Sequence, residues 1–199
     1  VIQEAATRAL RNGMSLHILF EQLRDIRSDV RIPLILMGYL NPIMKFGFEA
    51  FCQKCVECGI DGVIIPDLPF KDYEETYKPI ADRYDIRVIM LITPETSEAR
   101  VREIDEHTDG FIYMVSSAAT TGAQKDFDSQ KQAYFKKIQD MHLRNPRMVG
   151  FGISNKQTFD AACANSSGAI IGSRFVTLLN EAEGDAEKAI TQLKEGLKK

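Results

Sequence analysis

The stretch from Met148 to Val176 constrains the fold of this chain most. It reads Met-Val-Gly-Phe-Gly-Ile-Ser, then a helix-like run, then Gly-Ala-Ile-Ile-Gly-Ser-Arg-Phe-Val. Two short apolar runs each end in glycine and serine, and each leads at once into a helical pattern. Ser154 with Gln157 spells a capping box, which predicts a helix starting just after Ile153. Gly172-Ser173 stands ahead of Phe175, Val176 and Leu179, the apolar face of a second helix start. Glycine at a strand end lets the backbone approach a ligand, and helix N-termini offer free N–H groups with a favourable dipole. Two such ends side by side would cradle a phosphate dianion, with Ser173 as an added donor. The plainer alternative is a pair of tight turns, and it is weaker for two clusters in tandem than for one.

The rest of the chain repeats the same unit. Ile2–Leu10 predicts a helix closed by Asn12-Gly13, and Ser15 caps a second one with Leu16, Leu19, Phe20, Leu23 and Ile26 inward. Strands are expected at Pro33–Leu40, closed by Asn41-Pro42, and at Gly62–Pro66, Ile86–Thr93 and Phe111–Val115, before the two already described. Their near-continuous apolar character suits a parallel sheet buried on both faces. Helical patterns separate them: one bearing Cys52, Cys55 and Cys58, one with Pro79 as a bend, one capped near Thr96, and one over Asp128–His142. An amphipathic tail carrying Ile190, Leu193 and Leu197 ends the chain. About six strand–helix units in alternation mean an α/β protein with a parallel sheet. A doubly wound open sheet is disfavoured, because no Gly-rich dinucleotide fingerprint follows a first strand and the glycine sites sit on the last two. Paired phosphate turns after the closing strands instead suit a (β/α)8 TIM barrel. No linker-like composition divides the sequence, so residues 1–199 are expected to form one domain.

A net charge of -3 with no basic block gives no footprint for nucleic acid or an anionic membrane, and no apolar run has the length of a membrane span. A cytoplasmic location is expected. The C-x2-C-x2-C run of Cys52, Cys55 and Cys58 resembles part of an iron–sulfur motif. However, Phe48, Phe51, Cys52, Cys55 and Val56 follow helical spacing, and cysteines three apart fan out around a helix. Reduced thiols packed in or near the core are expected. His17, His107 and His142 fall on helices or helix ends, with neither metal spacing nor a triad partner.

In barrels of this kind, chemistry collects at the C-terminal strand ends. Those ends carry Tyr39 and Asn41, then Asp67, Glu95, Tyr113, Gly152 and Ser173. The small-residue run Ser116–Ala123 suits a lid. Asp67 and Glu95 are the obvious acid–base candidates, although each also suits a helix cap, which is the favoured role. The residues alone therefore lead to a phosphate-binding barrel without an assigned general base.

Several motifs occur here together and in order. They are Val1-Ile2-Gln3 opening a helix, Met37-Gly38-Tyr39-Leu40-Asn41-Pro42, Pro66-Asp67-Leu68-Pro69, Tyr113 followed by Thr120-Thr121-Gly122-Ala123, Gly150-Phe151-Gly152-Ile153-Ser154, and Gly172-Ser173. As an ordered set they resemble the tryptophan synthase alpha subunit family over essentially the whole chain. The resemblance implies cleavage of indole-3-glycerol phosphate to indole and glyceraldehyde 3-phosphate, with no metal or organic cofactor. It implies that Gly152, Gly172 and Ser173 hold the phosphate, with Gly122 on the closing loop. Tyr113 would lie beside the substrate and Thr121 would order the lid. Ile2, Met37, Ile64, Phe151 and Ile170 would wall the indole. Asn41 and the Asp67–Pro69 turn would face a beta subunit, within the alpha2beta2 heterotetramer of the family.

Two departures follow from the same comparison. Ser117 and Ala119 stand in the lid where many relatives differ. The family's catalytic glutamate and ring-binding aspartate have no counterpart in these residues, and neither Asp67 nor Glu95 matches them. A barrel of this class takes about 250 residues, and the chain opens at Val1 inside a helical pattern. It is thus expected to lack the N-terminal part of the barrel, including the first two strands, and to be nearly inactive alone, since general base catalysis is worth about 10² to 10⁴-fold. Exposed strand edges would invite association. Two rival expectations are another phosphate-binding barrel, such as a phosphosugar isomerase or epimerase, and a fragment that only binds a beta subunit.

Overall fold

Short parallel strands alternate with helices in the computed structural model, which describes residues 1–116, 124–150 and 152–198, the side chains of 124–129 excepted. In chain order the elements are α1 (Ile2–Arg11), α2 (Leu16–Leu23), β1 (Ile35–Met37), α3 (Leu40–Phe46), α4 (Phe48–Glu57), β2 (Gly62–Ile64), α5 (Phe70–Asp72) and α6 (Lys78–Arg83). They continue with β3 (Arg87–Ile89), β4 (Leu91–Ile92), α7 (Glu98–His107), β5 (Ile112–Val115), α8 (Gln124–Asp140), β6 (Arg147–Gly150), α9 (Lys156–Cys163), β7 (Gly168–Ala169), α10 (Ser173–Glu181) and α11 (Ala186–Gly196). The strands form one sheet ordered β1-β2-β3 and another ordered β4-β5-β6-β7. The chain divides into two compact units.

The unit made of Leu10–Leu91 and Ala99–Phe111 is built around β2. Gly62, Val63 and Ile64 are buried on both faces, between β1 and β3 in parallel register. Helix α4 turns Phe48, Phe51, Cys52 and Cys55 inward, the three-and-four spacing read from the sequence, and its cysteines are free thiols. Burial raises the Cys52 and Cys55 pKa values to about 12, because a thiolate would lose its hydration there. Arg27, in the 3-10 turn after α2, ties the approach to β1 down. Its Nε donates to the Gly59 carbonyl at 2.7 Å and its Nη1 to the Ile32 carbonyl at 2.7 Å. Its Nη2 binds Asp61, whose carboxylate also accepts from the Leu34 N–H at 2.8 Å.

Strand β1 is shorter than the predicted Pro33–Leu40 and is not buried on both faces: Met37 is 54% exposed. Among the described residues it is an edge strand of its sheet. Asn41-Pro42 does not close the strand but enters the first turn of α3, where proline's missing N–H costs no helical bond. Pro79 sits in the first turn of α6 after one turn of π-helix over Tyr73–Tyr77, in which the Lys78 N–H reaches back to the Tyr73 carbonyl. That wide turn is the expected bend.

The other unit comprises Val1–Ala9, Ile92–Glu98 and Ile112–Lys199. Ile112, Tyr113 and Met114 of β5 are all buried, as an interior parallel strand requires. Helix α8 packs Phe135 and Ile138 inward, and Met141 is buried just past its end. The cap of α9 is Asn155, one residue beyond the predicted Ser154. Asn155 is extended, its side chain accepts from the Thr158 N–H at 2.9 Å, and Thr158 returns the bond to the Asn155 N–H. In the tail, Ala189 and Leu193 pack against Leu178 and Ala182, leaving Ile190 exposed.

Candidate functional site

The glycine turns lie beyond the ends of neighbouring strands. Met148 pairs with Gly168 and Val149 with Ala169, and the Ile170 N–H continues the ladder to the Val149 carbonyl at 2.7 Å. Gly152 follows the end of β6 and Gly172 follows the end of β7. Gly152 has φ +76° and open space where a side chain would stand, so its turn presents bare backbone. Gly172 caps α10, and its own lack of a side chain leaves the first-turn N–H groups of Ser173, Arg174 and Phe175 uncovered by it. Ser173 is exposed at that helix start, as predicted. Ile2 of α1 reaches the same place: its Cδ1 stands 3.2 Å from where a Cβ on Gly172 would be. One of the expected apolar wall residues therefore meets the turn that opens α10.

Tyr113 comes from β5, opposite Met148 of β6. Its phenol covers Gly150 so closely that a Cβ there would overlap the hydroxyl oxygen and Cζ. Burial raises the Tyr113 pKa, so at neutral pH the group is a hydrogen-bond donor or a neutral acceptor rather than a phenolate. The role of Gly150 is legible only in outline from the sequence. The Gly-Phe-Gly spacing marks a turn, but not the tyrosine that lies over it. Thr121, Gly122 and Phe151 lie outside the described residues.

In the other unit, Met37 and Ile64 are register partners on β1 and β2, so these two expected wall residues share a sheet face. Asp67 follows β2, and its Oδ1 accepts from the Leu40 N–H at 2.9 Å, at the first residue of α3. It is a cap, as favoured, but for a helix before it in the chain rather than the one after. Asn41 and Pro69 are exposed beside it. Glu95 is exposed in the turn after β4, which the Thr96 hydroxyl closes by accepting from the Thr93 N–H at 2.9 Å. The Glu95 carboxylate adds to burial in raising the Tyr134 pKa. The histidines stand away from the strand tips: His17 packs on Phe46, His107 binds Glu74, and His142 ends the α8 turn. Among the described residues no group of three His, Cys, Asp or Glu side chains could hold a metal ion.

Comparison with known proteins decides which barrel this is. The family model of the tryptophan synthase alpha chain matches residues 1–199. The chain belongs to the tryptophan synthase alpha chain family. The Bacteroides fragilis alpha chain is 80% identical over 194 residues, covering 98% of this chain and 73% of that one. The Bacteroides thetaiotaomicron alpha chain is 78% identical over 198 residues, covering 100% and 77%. Among solved structures, the Campylobacter jejuni alpha subunit superposes with a TM-score of 0.85 at 31% identity, covering 98% of this chain and 77% of that one. The Pyrococcus furiosus tryptophan synthase complex contains a chain matching at TM-score 0.84 and 27% identity, covering 98% and 78%. The α/β architecture with parallel sheets is thus that of the tryptophan synthase alpha TIM barrels. The family is one of lyases in tryptophan biosynthesis, and it is favoured over the isomerase or epimerase alternative.

Proposed function

We propose that this chain carries the substrate-holding half of the reaction that splits indole-3-glycerol phosphate into indole and glyceraldehyde 3-phosphate. The observation that carries this reading is the parallel pairing of neighbouring strands β6 and β7, each of which leads into one of the glycine turns, the second opening α10. In this reading the N–H groups of Gly152, Gly172 and Ser173 hold the phosphate, with Gly122 on the lid, and the dipole of α10 favours the dianion. Ile2 and Ile170 wall the indole, and Tyr113 lies beside the substrate. The retro-aldol step takes a proton from the glycerol hydroxyl, gives one to the indole carbon that leaves, and breaks the carbon–carbon bond between them. No metal or organic cofactor is assigned to it.

Neither Asp67 nor Glu95 is the general base: one is committed to the α3 cap and the other is exposed in a turn. The described residues supply no other assigned base or partner for the ring N–H. We read the whole chain as one barrel domain supplying about six of eight strand–helix units, working in the cytoplasm. A beta subunit in an alpha2beta2 assembly receives the indole, with Asn41, Asp67 and Pro69 toward it.

Calorimetric titration with indole-3-glycerol phosphate tests the site. Ser173→Ala removes a hydrogen bond to a charged group, so affinity should fall about 10- to 100-fold. Unchanged affinity would overturn the phosphate assignment.

A further inference from the structure

We infer that Asp67 is a positioning residue for the partner surface: it acts through the Leu40 N–H rather than by touching the partner. This rests on the proposal that a beta subunit docks on this face. The face is made by two segments well separated in sequence. One is the start of α3, where Tyr39 and Met44 are more than half exposed and Asn41 is exposed between them. The other is the turn after β2, where Pro69 is exposed. The Asp67 Oδ1 accepts from the Leu40 N–H at 2.9 Å and so pins the two together. Leu40 is the first residue of α3, and the helix has no cap of its own: Tyr39 precedes it in extended conformation without a side-chain hydrogen bond. The first N–H of a helix has no partner within it, and a carboxylate there also suits the dipole. Asp67 therefore does from a distant turn what an N-cap does locally. Without it, the first turn of α3 and its three exposed residues are free to shift relative to Pro69.

The backbone permits a test that leaves Asp67 in place. Tyr39 has ψ 153°, the conformation a residue before proline prefers, and the first helical position tolerates proline. Leu40→Pro thus removes the donor without touching the carboxylate, and Leu40→Ala keeps the donor while removing the side chain. Affinity for an isolated beta subunit is measured by calorimetry on the full chain, with circular dichroism as a check of folding. Asp67→Ala and Leu40→Pro should each weaken the complex about five- to tenfold, the worth of one capping bond. The double variant should be no weaker than either single one. Asp67→Asn, which keeps an acceptor oxygen, should recover most of the affinity, and Leu40→Ala should lose less than Leu40→Pro. Additive losses, or a Leu40→Pro variant that binds like Leu40→Ala, would overturn the inference and leave Asp67 as a direct contact. Absence of any complex with the unaltered chain would overturn the partner proposal itself, and the inference with it.

Discussion

Replacing Gly150 by alanine should test the packing that sets the Tyr113 phenol in place. The new Cβ would overlap the hydroxyl end of the phenol, and Tyr113 is only 4% exposed on an interior strand, so the ring has nowhere to swing. Forcing a methyl into a filled site costs about 1–3 kcal/mol. Against this, alanine restricts the unfolded chain more than glycine, and the φ of Gly150 is not left-handed, so roughly 0.4–1 kcal/mol is regained. The net destabilisation should be about 1–2 kcal/mol, a fall in Tm of roughly 2–8 °C for a domain of this size. Tyr113→Ala alone should cost about 3–5 kcal/mol, as for other large buried rings. In that background Gly150→Ala should cost nothing or stabilise slightly, giving a coupling of about 1–3 kcal/mol between the two sites. Urea unfolding followed by circular dichroism measures all four corners of the cycle; the chain has no tryptophan to report by fluorescence. If Gly150→Ala cost the same with and without the tyrosine ring, steric overlap would not be the reason for this glycine.

Three further outcomes are expected. At pH 8 an alkylating reagent should modify partly exposed Cys163 first and spare Cys52 and Cys55 until the chain unfolds, as peptide mass mapping would show. The folded state keeps those two thiols protonated to about pH 12, whereas unfolded thiols titrate near 9. Their contribution is therefore complete below pH 9, and stability should fall between pH 9 and 12, by about 1.4 kcal/mol per unit for each thiol; urea midpoints at pH 8 and 10.5 check the sign. Arg27→Ala should cost about 2 kcal/mol in the same urea assay, and Arg27→Lys should recover little, because an ammonium cannot span the guanidinium's acceptors. Asp185→Ala should remove the α11 cap, a bond to the Lys188 N–H at 3.0 Å, at about 1 kcal/mol.

What could be read from the sequence follows how local its cause is. The strand Ile112–Val115 and the inward face of α4 are legible because apolar period and run length are properties of neighbouring residues. The cap of α9 lies one residue beyond Ser154 because serine and asparagine both serve as caps, and it is the Asn155 side chain that meets the Thr158 N–H. The length of β1 was overestimated because an edge position, set by sheet order, cannot be seen in the apolar run Pro33–Leu40. At the candidate site, the glycine-serine turns were visible as local patterns. The approach of Ile2 to Gly172, of Tyr113 to Gly150 and of Asp67 to Leu40 joins segments from 27 to 170 residues apart, and spacing holds no trace of them.

The acceptors of Arg27 also have a consequence for the order in which the protein can assemble as it is made. Val30 and Ile32 follow the arginine within a few residues, but Gly59 and Asp61 follow it by more than thirty. A nascent chain that has emerged only as far as α3 can satisfy part of the guanidinium and cannot yet hold Leu34 on the Asp61 carboxylate. β1 is therefore locked only after the segment entering β2 has left the ribosome, which makes these two strands a joint step in folding rather than successive ones.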